Sequence, residues 1–245
     1  MIVSLITGRK NSKGFPNKHF CSVLGKPLSY YPMNAVSNCE KIDSHYISTD
    51  DEKLVKLAVG MGIEIIKRPF KLCTDVAESK DVFVHGYEEI KKRNCNKNID
   101  IIVLIMCNAP VVTSKMISEG IEKLKNNSDL DSVITVSKYN MWSPIRARKI
   151  GNDGLLSPFI PFEFFNNKDN FNSDRDSQGD VWFADMGVSI VRSRCLEDIE
   201  NGILPQKWMG NKIYPIKQEL GLDVDYEWQI PQIEKWIQNN IDTKG

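Results

Sequence analysis

The chain has 245 residues, of which 41% are hydrophobic, so it can bury a sizeable core, and we expect one domain spanning 1–245. Lys and Arg together number 32, as do Asp and Glu, and this balance gives no bulk positive charge to favour a nucleic-acid partner. No apolar stretch approaches the ~18 residues of a membrane span. The six cysteines form no C-x-x-C pair and no signal peptide is recognised, which favours a reduced, cytoplasmic protein with no membrane partner.

The first predicted element is a buried strand over 1–7, because a continuous apolar run there leads into a loop of Gly, Lys and Pro. Strands and helices then alternate in the order helix 28–38, strand 44–48, helix 51–61, strand 64–67, helix 80–93, strand 99–106, helix 115–125 and strand 132–137. Asp50 or Thr49 is the expected N-cap of the second helix. This alternation predicts an α/β fold, a Rossmann-like three-layer sandwich with a mostly parallel sheet and helices on both faces.

The pattern weakens in the second part of the chain. From about 143 to 185, aromatic, Pro and Gly residues break the chain into loops and short strands, which we interpret as a small insertion or dimerisation arm. A strand over 187–191 and a terminal helix over 227–240 complete the prediction. The aromatic residues around the arm are typical of a core or a subunit interface, and the alternative is the wall of a substrate pocket. We expect a homodimer.

Residues 8–18, GRKNSKGFPNK, follow the first strand and contain four cations, two glycines and a serine. A strand-to-helix loop with free backbone N–H groups and adjacent Lys or Arg is well suited to binding phosphate. The glycine spacing and the terminal Lys-Ser/Thr pair of a Walker A loop are missing. An ordinary solvated turn has the same composition, so the residues alone leave both interpretations open.

Two other sets of residues carry possible chemistry. Asp223 and Asp225 lie two positions apart, and an extended backbone would point both carboxylates to one side, where they suit Mg²⁺ together with substrate phosphates. A solvated strand end is the alternative. Arg68 and Asp75 follow the third strand, where the carboxyl ends of parallel strands place ligand loops. For Arg68 the alternative is a surface residue before a turn-forming proline. The three histidines lie too far apart to support a zinc site.

These motifs occur together in one known family. Residues 5–18 (LITGRKNSKGFPNK) resemble the A-R-G-G-S-K-G-x-P-x-K signature of the CMP-sialic acid synthetase (acylneuraminate cytidylyltransferase) family. Residues 48–51 (STDD) resemble its S-T-D-D turn, residues 68–75 its R-P-x-x-L-A-x-D segment, and residues 223–225 (DVD) its metal-binding D-x-D. Four motifs in the same order over most of the chain are more specific than any one of them.

The resemblance implies a fold of the nucleotide-diphospho-sugar transferase type. It also implies transfer of CMP from CTP to an acidic sugar, sialic acid or a related nonulosonic acid, with Mg²⁺ as cofactor and release of pyrophosphate. The residues that it implies for nucleotide binding are Gly8, Arg9, Ser12, Lys18, Arg68, Asp75 and Asn108. The residues that it implies for catalysis are Arg9, Lys18, Asp223 and Asp225, of which the two aspartates bind the metal. The residues that it implies for the acceptor are Met106 and Arg175.

The chain departs from the family pattern at several positions. Lys10-Asn11 replaces Gly-Gly, His19 replaces an Asn, residues 106–110 replace a Q-x-T-S-P segment, and residues 183–187 differ from an Asn-Gly strand. Nucleotide transfer is therefore better supported than any particular sugar, and the acceptor can be another nonulosonic acid or another acidic or phosphorylated compound. The alternatives to CMP transfer are the use of GTP, UTP or dTTP, a glycosyltransferase, and a non-catalytic nucleotide-binding module.

Overall fold

The computed structural model describes residues 1–10, 14–166 and 170–241, and a seven-stranded sheet forms its centre. The strands in chain order are β1 (Ile2–Thr7), β2 (Ser22–Val23), β3 (Lys26–Pro27), β4 (Ser44–Thr49), β5 (Glu64–Lys67), β6 (Ile101–Met106), β7 (Ser132–Lys138), β8 (Arg148–Ile150), β9 (Leu156–Pro158), β10 (Trp182–Arg192) and β11 (Ile213–Gln218). The α-helices are α1 (Tyr30–Ser37), α2 (Glu52–Gly60), α3 (Ser79–Arg93), α4 (Ser114–Lys125), α5 (Arg194–Glu197) and α6 (Ile230–Asn240).

The central sheet has the strand order β11-β7-β10-β6-β1-β4-β5. β1 lies between β4 and β6, and both pairings are parallel. Among the described strands of this sheet, only β10 runs against the others, between β6 and β7. The predicted mostly parallel sheet is therefore confirmed. The apolar sequences IVSLIT of β1 and IIVLIM of β6 suit the central positions, because a central parallel strand is buried on both faces.

The side chains of β1 alternate between two cores on opposite faces of the sheet. Ile6 belongs to the core that includes Leu54 of α2 and Ile121 of α4. Leu5 belongs to the core that includes Phe83 of α3. This period of two along the strand gives each face of the sheet a layer of helices, which confirms the predicted three-layer sandwich.

The N-cap of α2 differs from the expected residue. The cap is Asp51, whose carboxylate accepts a hydrogen bond from the Lys53 backbone N–H at 2.8 Å. The expectation of Asp50 or Thr49 was wrong by one or two positions. The Thr49 hydroxyl accepts from the Asp51 N–H at 3.0 Å, and Asp50 accepts from the Lys10 N–H at 2.9 Å. Asp50 therefore contacts the loop after β1 and leaves the cap to the next residue.

The second part of the chain contains more strand than the sequence predicted. β10 has 11 residues, but a register shift between Ala184 and Ser189 interrupts its pairing with β7. Met186 in this irregular stretch has a φ of 59°, so the period-two pattern is broken and only the second half of the strand was recognised. β11 was missed because it is a largely exposed edge strand that contains Pro215. None of the described helices is long and apolar enough to cross a membrane.

Two helical glycines give opposite expectations for stability. A Cβ at Gly86 in α3 would lie 2.5 Å from Leu5 Cδ2, whereas a Cβ at Gly60 in α2 would meet nothing within 4 Å. We expect Gly86→Ala to lower the free energy of unfolding by about 1–3 kcal/mol, because it overpacks the core. Gly60→Ala should raise it by about 0.5 kcal/mol through helix propensity. Urea denaturation measures both, and equal midpoints for the two variants would contradict this packing of α3 on β1.

Candidate active site

The carboxyl ends of β1, β4, β5 and β6 lie at one edge of the sheet and open into a cleft of about 380 Å³. The loop after β1, the segments that follow β5 and β6, the start of α3 and the segment before α6 form its walls. The cleft is lined by these site residues expected from the sequence: Gly8, Arg9, Lys18, Arg68, Met106, Asn108 and Asp225. Ser12 lies outside the described residues. The fold therefore gathers most of the expected nucleotide-binding residues in one place.

Gly8 begins the basic loop in very close contact with its neighbours. A Cβ at this position would lie 2.7 Å from Cys107 Sγ and equally close to Leu54 Cδ1. The Gly8 N–H donates to the Ser48 carbonyl at 3.3 Å. A side chain would push the loop off the sheet, so the close approach requires glycine here.

Arg9 joins the basic loop to the segment that follows β5. Its guanidinium pairs with the Asp75 carboxylate at 2.7 Å, and its Nη1 lies 3.5 Å from the Cys73 carbonyl oxygen. Leu72 and Thr74 of the same segment line the cleft. Arg9 and Asp75 both remain partly exposed, so the guanidinium is accessible to an anion in the cleft.

Arg68 is buried, which excludes the surface interpretation that the sequence left open. Its Nη2 donates to the Ser48 carbonyl at 2.6 Å, and its Nε donates to the Ser48 hydroxyl at 3.3 Å. Burial lowers the pKa of the guanidinium from its ordinary value. Arg68 therefore holds the end of β4 and contributes its remaining surface to the floor of the cleft.

The D-x-D motif is anchored through its central residue. The Val224 side chain is fully buried against α6, so the side chains of Asp223 and Asp225 on either side point away from that core. The Val224 N–H donates to the Asn108 carbonyl at 2.7 Å, and Asn108 Nδ2 donates to the Val224 carbonyl at 3.3 Å. The same Nδ2 lies 3.5 Å from Asp223 Oδ2. The motif is thereby fixed to the turn that follows β6.

Lys18 connects the basic loop to the same motif. Its Nζ donates to Asp225 Oδ1 at 2.6 Å, and only 9% of its side chain is exposed. Asn17 before it has a left-handed φ of 57°. Gln229 Oε1 accepts from the backbone N–H groups of Asp225 and Tyr226, both at 2.7 Å, and this holds the backbone in place beneath the ion pair.

The electrostatic environment of Asp223 differs from that of Asp225, which pairs with Lys18. Burial and the negative charge of Asp225 raise the pKa of the Asp223 carboxyl, and the nearby Lys18 ammonium and Asn108 amide offset only part of this. The ionised form of Asp223 is therefore held at an electrostatic cost, which a bound cation would relieve.

Sequence reasoning missed the contacts that position the segment before the motif. The buried Asp185 carboxylate accepts hydrogen bonds from the Ser137 hydroxyl at 2.6 Å and from Gln218 Nε2 at 2.8 Å. A Cβ at Gly221 would lie 1.9 Å from this carboxyl, and the Tyr139 hydroxyl donates to the Gly221 carbonyl at 2.9 Å. The chain leaving β11 thus passes between Asp185 and Tyr139. The sequence feature that could have indicated this close contact is Gly221, two residues before the D-x-D motif.

His19 lines the cleft, and sequence reasoning assigned it no role there. It is buried, and its Nδ1 has no hydrogen-bond partner within the described part of the chain. Burial, aided by the adjacent Lys18 charge, lowers its pKa to about 4, so the imidazole is neutral at neutral pH. The sequence feature that could have drawn attention to His19 is that it replaces the Asn of the family pattern.

Arg175 lies apart from the cleft. It is exposed on the arm, and its Nε contacts the carboxylate of the adjacent Asp176 at 3.3 Å. It lines a separate recess together with Lys138 and Asn140. The structure therefore does not bring Arg175 into contact with the other expected site residues.

Comparison with known proteins identifies relatives of this arrangement. A family model described as cytidylyltransferase matches residues 3–149. The N-acylneuraminate cytidylyltransferase of Oncorhynchus mykiss is 24% identical over 232 residues, which are 94% of this chain and 49% of that protein. The pseudaminic acid cytidylyltransferase of Campylobacter jejuni subsp. jejuni serotype O:2 is 28% identical over 127 residues, which are 50% of this chain and 53% of that protein. The chain spans about half the length of these curated relatives.

A solved structure supports the fold. The CMP:2-keto-3-deoxy-manno-octonic acid synthetase complexed with CTP aligns with a TM-score of 0.67 at 13% identity, over 98% of this chain and 99% of that chain. The predicted fold of the nucleotide-diphospho-sugar transferase type is therefore confirmed. The family match confirms the resemblance drawn from the basic loop, the S-T-D-D turn and the R-P segment, which all lie within it.

The two aspartates of the motif should affect stability in opposite directions. Folding raises the pKa of Asp223, so ionisation of this carboxyl destabilises the folded state. The destabilisation reaches its full size above the pKa of the folded state and disappears below the pKa of the unfolded state, which is about 3.9. We expect Asp223→Asn to raise the free energy of unfolding at neutral pH, with a gain that disappears as the pH falls below about 4. Asp225→Asn should lower it by about 1 kcal/mol, because it weakens the pair with the nearly buried Lys18.

Chemical denaturation of both variants at several pH values measures these effects. A loss of stability for Asp223→Asn at neutral pH, equal to that for Asp225→Asn, would contradict the electrostatic difference between the two carboxylates.

Proposed function

This chain belongs to the cytidylyltransferase family, and we propose that it transfers CMP from CTP to an acidic sugar, a sialic acid or a related nonulosonic acid, and releases pyrophosphate. The observation that carries the proposal is a cleft at which two cations from the first part of the chain meet the D-x-D motif, with Asp225 in the wall of the cleft and Asp223 bordering the neighbouring cavity. Arg9 and Lys18 come from the loop after β1, and Asp223 and Asp225 come from the segment before α6. This combination suits a nucleoside triphosphate together with a divalent cation.

The basic loop holds the triphosphate in this proposal. Arg9 and Lys18 supply positive charge, and Ser12 adds a hydroxyl by its position in the motif. Gly8 allows the loop to begin in close contact with Cys107 and Leu54. Both cations are paired with carboxylates of the protein, at 2.7 Å for Arg9 and 2.6 Å for Lys18. Phosphate oxygens therefore compete with these carboxylates, and Asp75 keeps the Arg9 guanidinium oriented toward the cleft until they arrive.

The nucleoside occupies the floor of the cleft. Arg68 is rigidly held there by two hydrogen bonds to Ser48, and Asn108 is held by its exchange of hydrogen bonds with Val224. Side chains that are fixed before binding lose little conformational entropy when a ligand arrives. These two residues therefore suit the recognition of a base and ribose.

Asp223 and Asp225 would hold Mg²⁺. Their chemistry fits, because Mg²⁺ takes one or two carboxylates together with phosphate oxygens. Burial, and then the charge of Asp225, raise the pKa of Asp223, and a cation would offset both effects. A Mg²⁺ ion held by these carboxylates would neutralise charge on the α-phosphoryl group and would lower the pKa of the attacking hydroxyl.

The reaction is an in-line displacement at the α-phosphorus. A hydroxyl or ionised acid oxygen of the acceptor forms the new bond to phosphorus, the bond to the bridging oxygen breaks, and pyrophosphate leaves. Attack by a hydroxyl also releases its proton, whereas an ionised acid oxygen has none to release. Such a reaction depends on positioning and charge neutralisation more than on a protein nucleophile. Arg9 and Lys18 offset the negative charge that develops on the leaving pyrophosphate.

The acceptor is proposed from the names of the relatives, which act on N-acylneuraminate and pseudaminic acid. Met106 lines the cleft, and its position in the resemblance supports a contact with the acceptor. Arg175 on the arm is offered as a further cation for the acid, by its position in the resemblance. A cytoplasmic location agrees with six cysteines that are all free thiols.

A homodimer is proposed from the arm. The β8–β9 hairpin and the chain after it expose large apolar side chains, among them Ile150, Leu155, Leu156 and Phe159. Leu156 of β9, for example, is 71% exposed. A contiguous exposed apolar surface is typical of an interface between subunits.

The function is tested by pyrophosphate release from CTP and Mg²⁺ with a panel of sugar acids. We expect Lys18→Met and Arg9→Met each to lower turnover ~100-fold, by analogy with the loss of one preorganised donor at developing charge. Lys125→Met is the control, because Lys125 is an exposed lysine at the end of α4, at the opposite edge of the sheet.

Two results would contradict this assignment. Unchanged pyrophosphate release in both cleft variants would remove Arg9 and Lys18 from the chemistry. CTP binding without pyrophosphate release for any acid in the panel would favour a non-catalytic nucleotide-binding module.

The dimer is tested by substitution in the arm. We expect Leu156→Asp to shift the protein to the monomer in sedimentation velocity, because burying an unpaired carboxylate in an apolar interface is costly. Val59→Asp is the matched control, because Val59 is equally apolar and 61% exposed but lies on α2. A wild-type protein that sediments as a monomer at all concentrations would refute the proposal.

A further inference from the structure

A second cavity of about 1,040 Å³ lies beside Asp223, between the start of β10 and α6. We propose that it receives the acceptor and selects a sugar acid whose carboxylate pairs with Lys235 and on which acyl and methyl groups replace several hydroxyls. This inference rests on the proposed function and names its substrate class.

The position of the second cavity, next to the nucleotide cleft, is the reason to place the acceptor in it. Asp225 lines the nucleotide cleft, whereas Asp223 lines the second cavity. The two cavities therefore meet across the D-x-D motif. An oxygen that attacks the α-phosphorus must approach from the side opposite the leaving pyrophosphate. The second cavity borders the D-x-D motif at Asp223, two residues from the Asp225 carboxylate of the nucleotide cleft, and so gives the acceptor a place beside the triphosphate.

The walls of the cavity are mainly apolar. Phe183 comes from β10, Leu220 and Leu222 come from the segment before the motif, and Trp142 and Trp228 cover the sides. The size suits a sugar acid, because small-molecule sites typically have volumes of about 300–1,000 Å³. Apolar and aromatic walls favour acyl and methyl groups over hydroxyls.

The polar groups in these walls are largely occupied by the protein itself. The Tyr139 hydroxyl already donates to the Gly221 carbonyl. The Asp185 carboxylate already accepts from Ser137, Gln218 and the backbone N–H of Gly187. A ligand hydroxyl buried against this wall would lose its hydrogen bonds to water without replacing them, which disfavours a highly hydroxylated acceptor.

Lys235 is the one cation among the described residues that line this cavity. It lies on α6 at helical spacing from Trp228, Pro231 and Gln232, which line the same cavity, and it forms no ion pair within the described chain. The neighbouring Lys138 is already paired with Asp180 at 3.2 Å. Lys235 is therefore the ammonium group available to a ligand carboxylate.

The carboxylate contact is tested with Lys235→Met and Lys235→Arg. We expect Lys235→Met to raise the KM for N-acetylneuraminic acid at least 10-fold and to leave the KM for CTP unchanged, whereas Lys235→Arg retains most of the activity. With the carboxamide of the same sugar, Lys235→Met should have no effect, because no charge remains to pair. Lys125→Met is again the control. An equal effect of Lys235→Met on acid and carboxamide, or no effect on either, overturns the role of Lys235.

The preference for apolar substituents is tested with two acids of matched stereochemistry. Legionaminic acid carries acylamino and methyl groups where N-acetylneuraminic acid carries hydroxyls. We expect kcat/KM to be at least 10-fold higher for legionaminic acid, and higher for both than for deoxy-octulosonic acid. Equal values, or a preference for the more hydroxylated acids, overturn the proposed substrate class.

A binding measurement separates this inference from the proposed function. Trp142 and Trp228 line the cavity, so titration with each acid should change the tryptophan fluorescence, and Lys235→Met should weaken that response at least 10-fold. Acid binding of this kind without pyrophosphate release refutes the proposed function and supports the cavity. Pyrophosphate release with no fluorescence response supports the function and overturns the cavity. If Trp228→Ala produces a monomer and no acid binds, the occupant is a second copy of the chain, and the acceptor assignment is wrong.

Discussion

The ion pair between Lys18 and Asp225 is the interaction on which the site depends. The two residues are 207 positions apart, and the pair joins the loop after β1 to the segment before α6. Each of these segments carries charges that the proposed chemistry needs. Because the Lys18 side chain is almost buried, its ammonium requires a nearby carboxylate, and the folded protein fixes the distance between the two halves of the site. The hydrogen bonds between Asn108 and Val224 add a second link, from the end of β6 to the same motif.

The sheet determines which residues this pair can assemble. β1, β4, β5 and β6 run parallel, so the chain leaves each of them at the same edge, and every following loop contributes to the cleft. The motif before α6 reaches this edge by a different route, through β11 at the far side of the sheet. Its path is constrained by Asp185 on the antiparallel β10 and by Tyr139 after β7, which leave room only for glycine at position 221. The antiparallel strand β10 therefore supplies, through Asp185, the contact that directs the motif toward the cleft.

The sequence predicted the fold and most of the cleft because their signals are local. Alternating apolar strands and helices, a run of cations after the first strand, and two carboxylates two positions apart can all be recognised within short windows. The role of Arg68 as a buried residue could not be recognised, because its burial depends on the Ser48 carbonyl at the end of another strand. Asp185 was missed because its partners come from β7 and β11, and because the irregular pairing of β10 disguises the strand that carries it. Contacts between distant segments leave no pattern in the sequence around either residue.

In the proposed function, the charges of the site couple the binding of the nucleotide to the binding of a divalent cation. Arg9 is paired with Asp75 and Lys18 with Asp225, whereas Asp223 forms no ion pair among the described residues, and burial together with the charge of Asp225 raises its pKa. A triphosphate bound alone would draw both cations away from their carboxylates and would increase the repulsion around Asp223. A cation bound alone would compete with Lys18 for Asp225. If both bound, the phosphates would pair with Arg9 and Lys18, and the released Asp225 would join Asp223 in holding the metal, so each ligand would offset the electrostatic cost that the other creates.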